Sequence, residues 1–266
     1  MSTHTIEPAP YAEWEKAEVA RSGVEASLTD PKTLRISAGV KQRYLNPPAD
    51  TPYPLEYAYH LLGDVRGKQV LDLGCGNGAN TALLALRGAT VWALDLSPEL
   101  VELGRRRLAV NAIQGDVRFI VGSAHAIDLP DSSIDVVFGI AILHHLDLAK
   151  VAAETHRILK PGGRAVFQEP VRNSRVIRAI RALIPYRAPD VSPYERPLTN
   201  GELAEFARPF RALRIRAFFL PHVAVGNFVP PFSRDPSMLY RIDAAILARF
   251  PALAHFAGIR VFEVTK

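Results

Sequence analysis

The chain has one cysteine, Cys75, so an internal disulfide and a cysteine-ligated metal cluster are both excluded, and no metal site is expected. Long hydrophobic runs are missing as well. No stretch approaches the roughly 18 apolar residues of a membrane-spanning helix, and the opening MSTHTIEPAP lacks a basic region followed by an apolar one. A cytoplasmic, non-spanning protein is expected. Excess charge is absent outside one segment. Arg172, Arg175, Arg178, Arg181 and Arg187 stand together without an Asp or Glu among them, and they account for the whole net charge of +5. Basicity is therefore local, and nucleic acid is not an expected partner. Internal repeats and low-complexity tracts are also lacking.

What is present centres on Val70 to Gly78, VLDLGCGNG. Val70, Leu71 and Leu73 suit a buried parallel strand, and the glycines then let the backbone turn and approach a ligand closely. Ala79 to Arg87 follows as a helix former, so strand, loop and helix N-terminus make a site for a nucleotide-like ligand. The spacing Gly74-x-Gly76-x-Gly78 differs from the dinucleotide fingerprint, with Ala79 at its third glycine position. The lone Cys75 reads best as a small apolar residue packed under the ligand.

From residue 69 onward, apolar runs and helical patterns alternate, as in a parallel sheet with crossover helices. Strands are expected at 69–73, 90–94, 117–121, 134–140, 164–168, 213–219 and 259–264. Helices are expected at 79–87, 98–111, 148–159, 200–207 and 237–250, with 148–159 stopped by Lys160-Pro161-Gly162-Gly163. Thr199 with Glu202 forms a capping box. Residues 1–60 stand apart as an N-terminal helical cap, with helices at 11–24 and 55–62. Residues 61–266 form the main domain, with insertions at 171–198 and 221–258.

Asp72, two residues before the first glycine, adds a specific feature: acid-x-Gly-x-Gly-x-Gly resembles motif I of the class I S-adenosylmethionine (SAM) dependent methyltransferases. Further matches follow in order. Asp95 ends the second strand, where an acidic side chain accepts from ribose hydroxyls in either a dinucleotide or SAM, or simply caps the helix after Ser97-Pro98. Gly122-Ser123-Ala124-His125, Asp128-Leu129-Pro130 and the acidic turn into Ile134-Asp135 resemble the family's next segment. Ser123 departs from it, because many relatives place an aspartate there to accept from the adenine amino group. Leu143-His144-His145 resembles the small-molecule branch that includes the ubiquinone and menaquinone biosynthesis enzymes. The Asn-Pro-Pro-Tyr type of motif of nucleobase amino methyltransferases is missing at this point.

The resemblance implies a seven-stranded Rossmann-like α/β sheet with strand seven antiparallel and helical cap insertions. It implies SAM as cofactor, with Gly74, Gly76 and Gly139 holding the methionine half and Asp72, Cys75 and Ile140 also among the cofactor-binding residues. Asp95 is assigned to the ribose, and Leu96, Ser123 and Ala124 to the adenine. Arg43 and Tyr44 would fold over the methionine carboxylate, or else lie on a cap helix surface. His144 and His145 are candidate general bases, although positioning alone can suffice for methyl transfer. Glu169 and His222 are rival polar groups.

The expected activity is methyl transfer to a small hydrophobic or aromatic acceptor. The alternatives are a SAM-binding regulator without catalysis and an NAD-dependent oxidoreductase. The amphipathic arginine helix expected at 173–184 is open to three uses: a lid with solvated arginines, contact with an anionic membrane surface, or recognition of an acidic substrate.

Overall fold

Val70 and Asp72 must face one side of their strand, and Leu71 and Leu73 the other. All four are buried, which requires cover on both faces of the sheet. The computed structural model describes residues 12–174, 197–226 and 235–266, and it supplies that cover. Seven strands, β1 Gln69–Leu73, β2 Thr90–Asp95, β3 Val117–Val121, β4 Ile134–Ile140, β5 Leu159–Pro170, β6 Ala212–Phe218 and β7 Ile259–Thr265, form one sheet in the order β3-β2-β1-β4-β5-β7-β6. The first five run parallel, while β7 is antiparallel to both β5 and β6. The expected seven strands and the reversed last strand are both present.

The two faces carry separate cores. Leu71 and Leu73 pack with Val137, Ala165, Phe167, Phe206 and Phe262. Val70 packs with Val91, Val136, Phe138, Val166 and Val261 on the other side. Alternation along β1, β4 and β5 sorts neighbouring residues onto opposite faces. At the edge, β6 exposes Arg214 and pairs on only one side, as befits a strand that must not recruit another chain.

The helices are α1 Ala12–Leu28, α2 Ala38–Leu45, α3 Pro54–Leu61, α4 Ala79–Leu86, α5 Pro98–Val110, α6 Leu148–Ile158, α7 Asn200–Phe206, α8 Pro221–Gly226 and α9 Ser237–Arg249. The capping box is formed: Thr199 N–H donates to Glu202 at 2.8 Å, and Glu202 N–H donates to Thr199 Oγ1 at 3.3 Å. Helix α6 stops at Ile158, one residue short of the expected end, because Leu159 already pairs with Ile134 of β4. Lys160 to Gly163 then forms an irregular start to β5, with Gly162 at φ 77°.

Two features of the N-terminal region differ from a simple cap. Helix α3 packs on β7 and β5 with Ala58, Tyr59 and Leu62 fully buried, so it belongs to the sheet's covering layer. Helix α1, which packs against α5, reaches over the sheet edge where the glycine loop lies. No bounds were expected for helices α2 and α8, of eight and six residues, too short for a periodic signal, although α2 carries Arg43 and Tyr44 on a helix of the cap, one of the two readings of that pair. Most of the arginine helix expected at 173–184, and the proline link after it, lie outside the described residues. No helix among the described residues is long and apolar enough to cross a membrane.

Candidate active site

The strand order runs outward from β1 through β2 to β3, then jumps back to β4 beside β1. That switch opens a crevice at the carboxyl ends of the strands, where open α/β sheets take ligands. The glycine loop fills the turn after β1. Gly74 N–H and Cys75 N–H both donate to Leu94 O at 2.9 Å, tying the loop to β2. Gly74 has φ 72°, and a Cβ there would lie 2.7 Å from Ile142 Cδ1, so both conformation and space demand glycine.

Asp95, at the end of β2, serves the loop and the next helix together. Its Oδ2 accepts from Gly76 N–H at 2.7 Å and its Oδ1 from Ser97 N–H at 3.0 Å. The N-cap of α5 is Ser97 itself, whose Oγ accepts from Leu100 N–H at 3.2 Å. Burial pushes the Asp95 carboxyl above its ordinary value, against the backbone N–H groups of Ser97, Gly76 and Leu96 that stabilise its charge. Asp72 lies one layer deeper and receives the Thr81 hydroxyl. Full burial raises it to about 7, with the Asp95 charge adding to the effect and Thr81 opposing it.

A cavity along this edge is walled by Gly74 and Gly76 from the loop, Asp95 and Leu96 after β2, Gly122 to Ala124 after β3, and Ile140 to Ile142 and His145 after β4. Ala141 holds φ 54° and donates its N–H to Gln168 O at 2.8 Å. Eight of the residues singled out in the sequence thus meet: Gly74, Gly76, Asp95, Leu96, Ser123, Ala124, Ile140 and His145. Asp72, Cys75 and Gly139 stand behind the wall. Cys75 is buried, and burial with the Asp72 and Asp95 charges pushes its thiol well up, so it remains protonated. A Cβ on Gly139 would fall 2.7 Å from the Phe167 ring, so Gly139 lets β4 and β5 pack.

Arg43 and Tyr44 do not reach this cavity. Glu56 is a nearly buried carboxylate and must be paired; it takes both Arg43 Nε and the Thr51 hydroxyl. Arg43 also lies 4.2 Å above the Tyr53 ring. Tyr44 packs 5.2 Å from Tyr59. The folding of these two residues over the methionine end is not what the geometry shows.

The histidine pair is divided. His144 is buried, and its Nδ1 meets Glu169 Oε2 at 2.8 Å. The other Glu169 oxygen accepts from Ile142 N–H at 2.9 Å and Leu143 N–H at 2.8 Å. His145 forms part of the cavity wall, with its ring 4.1 Å from that of His144. His222 lies elsewhere, 3.9 Å from Asp243.

Sequence reasoning missed the opposite wall. Glu15, Glu18, Arg21, Ser22 and Glu25 of α1 line the same cavity. Glu15, Glu18, Ser22 and Glu25 recur at helical spacing on one face, a polar stripe that was the available signal. Glu18 pairs with His145 at 3.4 Å and Arg21 at 3.0 Å. Burial alone would raise its carboxyl, but the pairing with His145 and Arg21 prevails and holds it at about 2. Among the described residues, no group of three or more His, Cys, Asp or Glu is placed to hold a metal ion.

Comparison with known proteins agrees with this geometry. Residues 71–167 match the family model described as a methyltransferase domain. Over 108 residues, 40% of this chain and 42% of the relative, the sequence is 43% identical to a demethylmenaquinone methyltransferase of Clavibacter sepedonicus. Over 110 residues, 41% of this chain and 47% of the relative, it is 34% identical to a ubiquinone biosynthesis O-methyltransferase of Pseudomonas putida. The chain therefore spans less than half the length of these two curated relatives. Among solved structures, geranyl diphosphate C-methyltransferase from Streptomyces coelicolor A3(2), in complex with Mg2+, geranyl diphosphate and S-adenosyl-L-homocysteine, aligns at a TM-score of 0.60. Identity is 19%, with 97% of this chain and 98% of that one covered. The shared feature is the fold, the Rossmann-like sheet of the SAM-dependent methyltransferases.

Proposed function

We propose that this chain, which carries a methyltransferase domain over residues 71–167, transfers a methyl group from S-adenosylmethionine to a small acceptor with a hydrophobic or aromatic body. The observation that carries this reading is the order of groups along the sheet edge. Ile140 and the glycine loop, then Asp95, then Ser123 and Ala124 follow the strand ends β4, β1, β2 and β3. Four strands at about 4.8 Å spacing span about 15 Å, the length of an amino acid joined to a ribose and a purine.

Each stretch of wall fits its part of that cofactor. The missing Cβ at Gly76, where nothing lies within 4 Å, leaves the loop backbone open to the methionine half, with Ile140 across from it and Gly139 packed behind. The Asp95 carboxylate takes backbone N–H groups of Gly76, Ser97 and Leu96, and with about four acceptor positions it keeps room for a ribose hydroxyl. Leu96 and Ala124 offer an apolar slot for the purine. When bound, SAM supplies an electrophilic methyl on a sulfonium whose leaving group is a neutral thioether.

For the acceptor we assign a second cavity at the other end of the same edge, beyond β5, β7 and β6. Phe219, Leu220, Val223, Tyr240 and Phe256 contribute to its lining, with Arg172 and His255 as polar groups. Apolar walls bind a hydrophobic or aromatic body and keep water from the transfer. The histidine pair supplies the proton acceptor for a hydroxyl nucleophile. Glu169 holds His144 through Nδ1, and His145 beside it presents its imidazole at the wall of the first cavity.

Calorimetric titration with S-adenosylhomocysteine, with NADH as control, tests the cofactor. Binding of the former alone is expected; binding of NADH alone would overturn the reading. Transfer of a labelled methyl to simple phenols and quinols then tests the acceptor class, and transfer only to sugars or nucleotides would refute it.

A further inference from the structure

The β3 end of the first cavity holds a carboxylate that no motif announces. Glu15 reaches it from α1, across 108 residues of sequence from Ser123. Its Oε1 accepts from the Ser123 hydroxyl and from His125 Nδ1, the latter at 2.9 Å. The His125 tautomer is set from the other side of the ring: Nε2 accepts the Asp147 N–H at 3.0 Å, so the proton of the neutral imidazole sits on Nδ1. Ser123 Oγ in turn accepts from His125 N–H at 3.0 Å, and also lies 3.3 Å from His125 Nδ1. Its hydroxyl hydrogen is thereby directed to Glu15. Two donors converge on one oxygen, and among the described residues none donates to the other, Oε2. Glu15 lines the cavity beside Ser123 and Ala124.

We propose that Glu15 reads the purine of the nucleoside ligand and selects a 6-amino over a 6-oxo base. The proposal rests on the cofactor reading above and names one specificity determinant of that same site. An ionised carboxylate only accepts hydrogen bonds. An exocyclic amine offers it an N–H, whereas a 6-oxo group turns lone pairs toward it and leaves both groups desolvated and unmatched. The uncharged Ser123 serves as the hydroxyl that aims this carboxylate. With α1 in place the charge at this end of the cavity comes from the helix and is held there by Ser123 and His125.

The test is paired titration of S-adenosylhomocysteine and S-inosylhomocysteine, its 6-oxo analogue, into the wild-type chain and Glu15→Gln, with a thermal melt of each protein. The wild type is expected to prefer the amino form by on the order of 10- to 100-fold, the range for hydrogen bonds to a charged group. Glu15→Gln should bring the two within about 3-fold of each other, because an amide can turn to donate to the 6-oxo group. A merely structural role in seating α1 would lower both affinities together, and that unchanged ratio would overturn the proposal. Equal binding of both nucleosides by the wild type would overturn it without any variant. Binding of neither would instead remove the cofactor reading on which it stands, and the proposal with it.

Discussion

Glu169 anchors the turn that follows β4. It is fully buried and accepts three hydrogen bonds, from Ile142 N–H, Leu143 N–H and His144 Nδ1, at 2.8 to 2.9 Å. Glu169→Ala strands all three donors in a space where water enters only in part, at about 1–3 kcal/mol each, so a loss of about 4–6 kcal/mol is expected. Glu169→Gln keeps one oxygen for the two backbone donors and turns an amide N–H toward His144, which must shift its own proton to Nε2. The cost there is the charge assistance, about 1–2 kcal/mol. Urea unfolding of the three proteins measures the difference. Against a typical total of about 5–15 kcal/mol, the alanine variant should unfold near the start of the wild-type baseline. The same turn sets Ile142 against Gly74, so both variants should also bind S-adenosylhomocysteine more weakly, the alanine variant more so. An alanine variant within about 1 kcal/mol of the glutamine variant would refute this account of the turn.

Three further outcomes follow from the same structure. Asp72 has a folded pKa of about 7 against an ordinary 3.8; the folded state holds the proton more tightly, so its burial penalty is absent below about pH 4 and grows to about 4 kcal/mol as pH rises through 7. Asp72→Asn should gain on the wild type over that window in thermal melts, and a pH-independent difference would sink the idea. Gly139→Ala places a methyl 2.7 Å from the Phe167 ring and should cost about 1–3 kcal/mol; an unchanged melting temperature would show that Phe167 yields freely. Tyr240→Ala should raise the acceptor KM while leaving S-adenosylhomocysteine affinity intact, and loss of both would show that the two cavities are not separate.

The sheet was legible because its signals are local. Each strand is a short apolar run beside a turn residue, and the glycine loop requires only neighbours on β1 and β2. The wall of the first cavity was legible for the same reason, since Asp95 and Ile140 end strands that periodicity locates, and Gly74 and Ser123 follow theirs by one and two residues. Arg43 and Tyr44 misled because their role depends on Glu56 and Tyr59, and nothing in local spacing says that a carboxylate on α3 will be buried and need a cation. The α1 wall was hidden for the opposite reason. A stripe of glutamates on one helix face reads as a solvated surface until the fold turns that face toward the histidines that follow β3 and β4, which join Glu15 to His125 and Glu18 to His145. His144 and Glu169 stood among the candidates one by one, yet their pairing required the register of β4 beside β5.

Two strained residues lie at the two cavities. Ala141 and Phe219 both have positive φ, 54° and 66°, without being glycine. Such a conformation costs about 1–2 kcal/mol per residue, so each needs an anchor. Ala141 N–H is taken by Gln168 O of β5 at 2.8 Å. Phe219 N–H and Leu220 N–H are both taken by the buried Asp243 of α9 at 2.8 Å, and Phe219 stacks 4.8 Å from Tyr240. One anchor is a strand backbone that also carries Glu169; the other is a side chain from the insertion at 221–258. The wall of the first cavity is therefore fixed by the sheet, whereas the wall of the second, proposed for the acceptor, hangs on Asp243 of α9. Substitutions in α9 are the ones that should change which acceptor is methylated while leaving the nucleoside affinity alone.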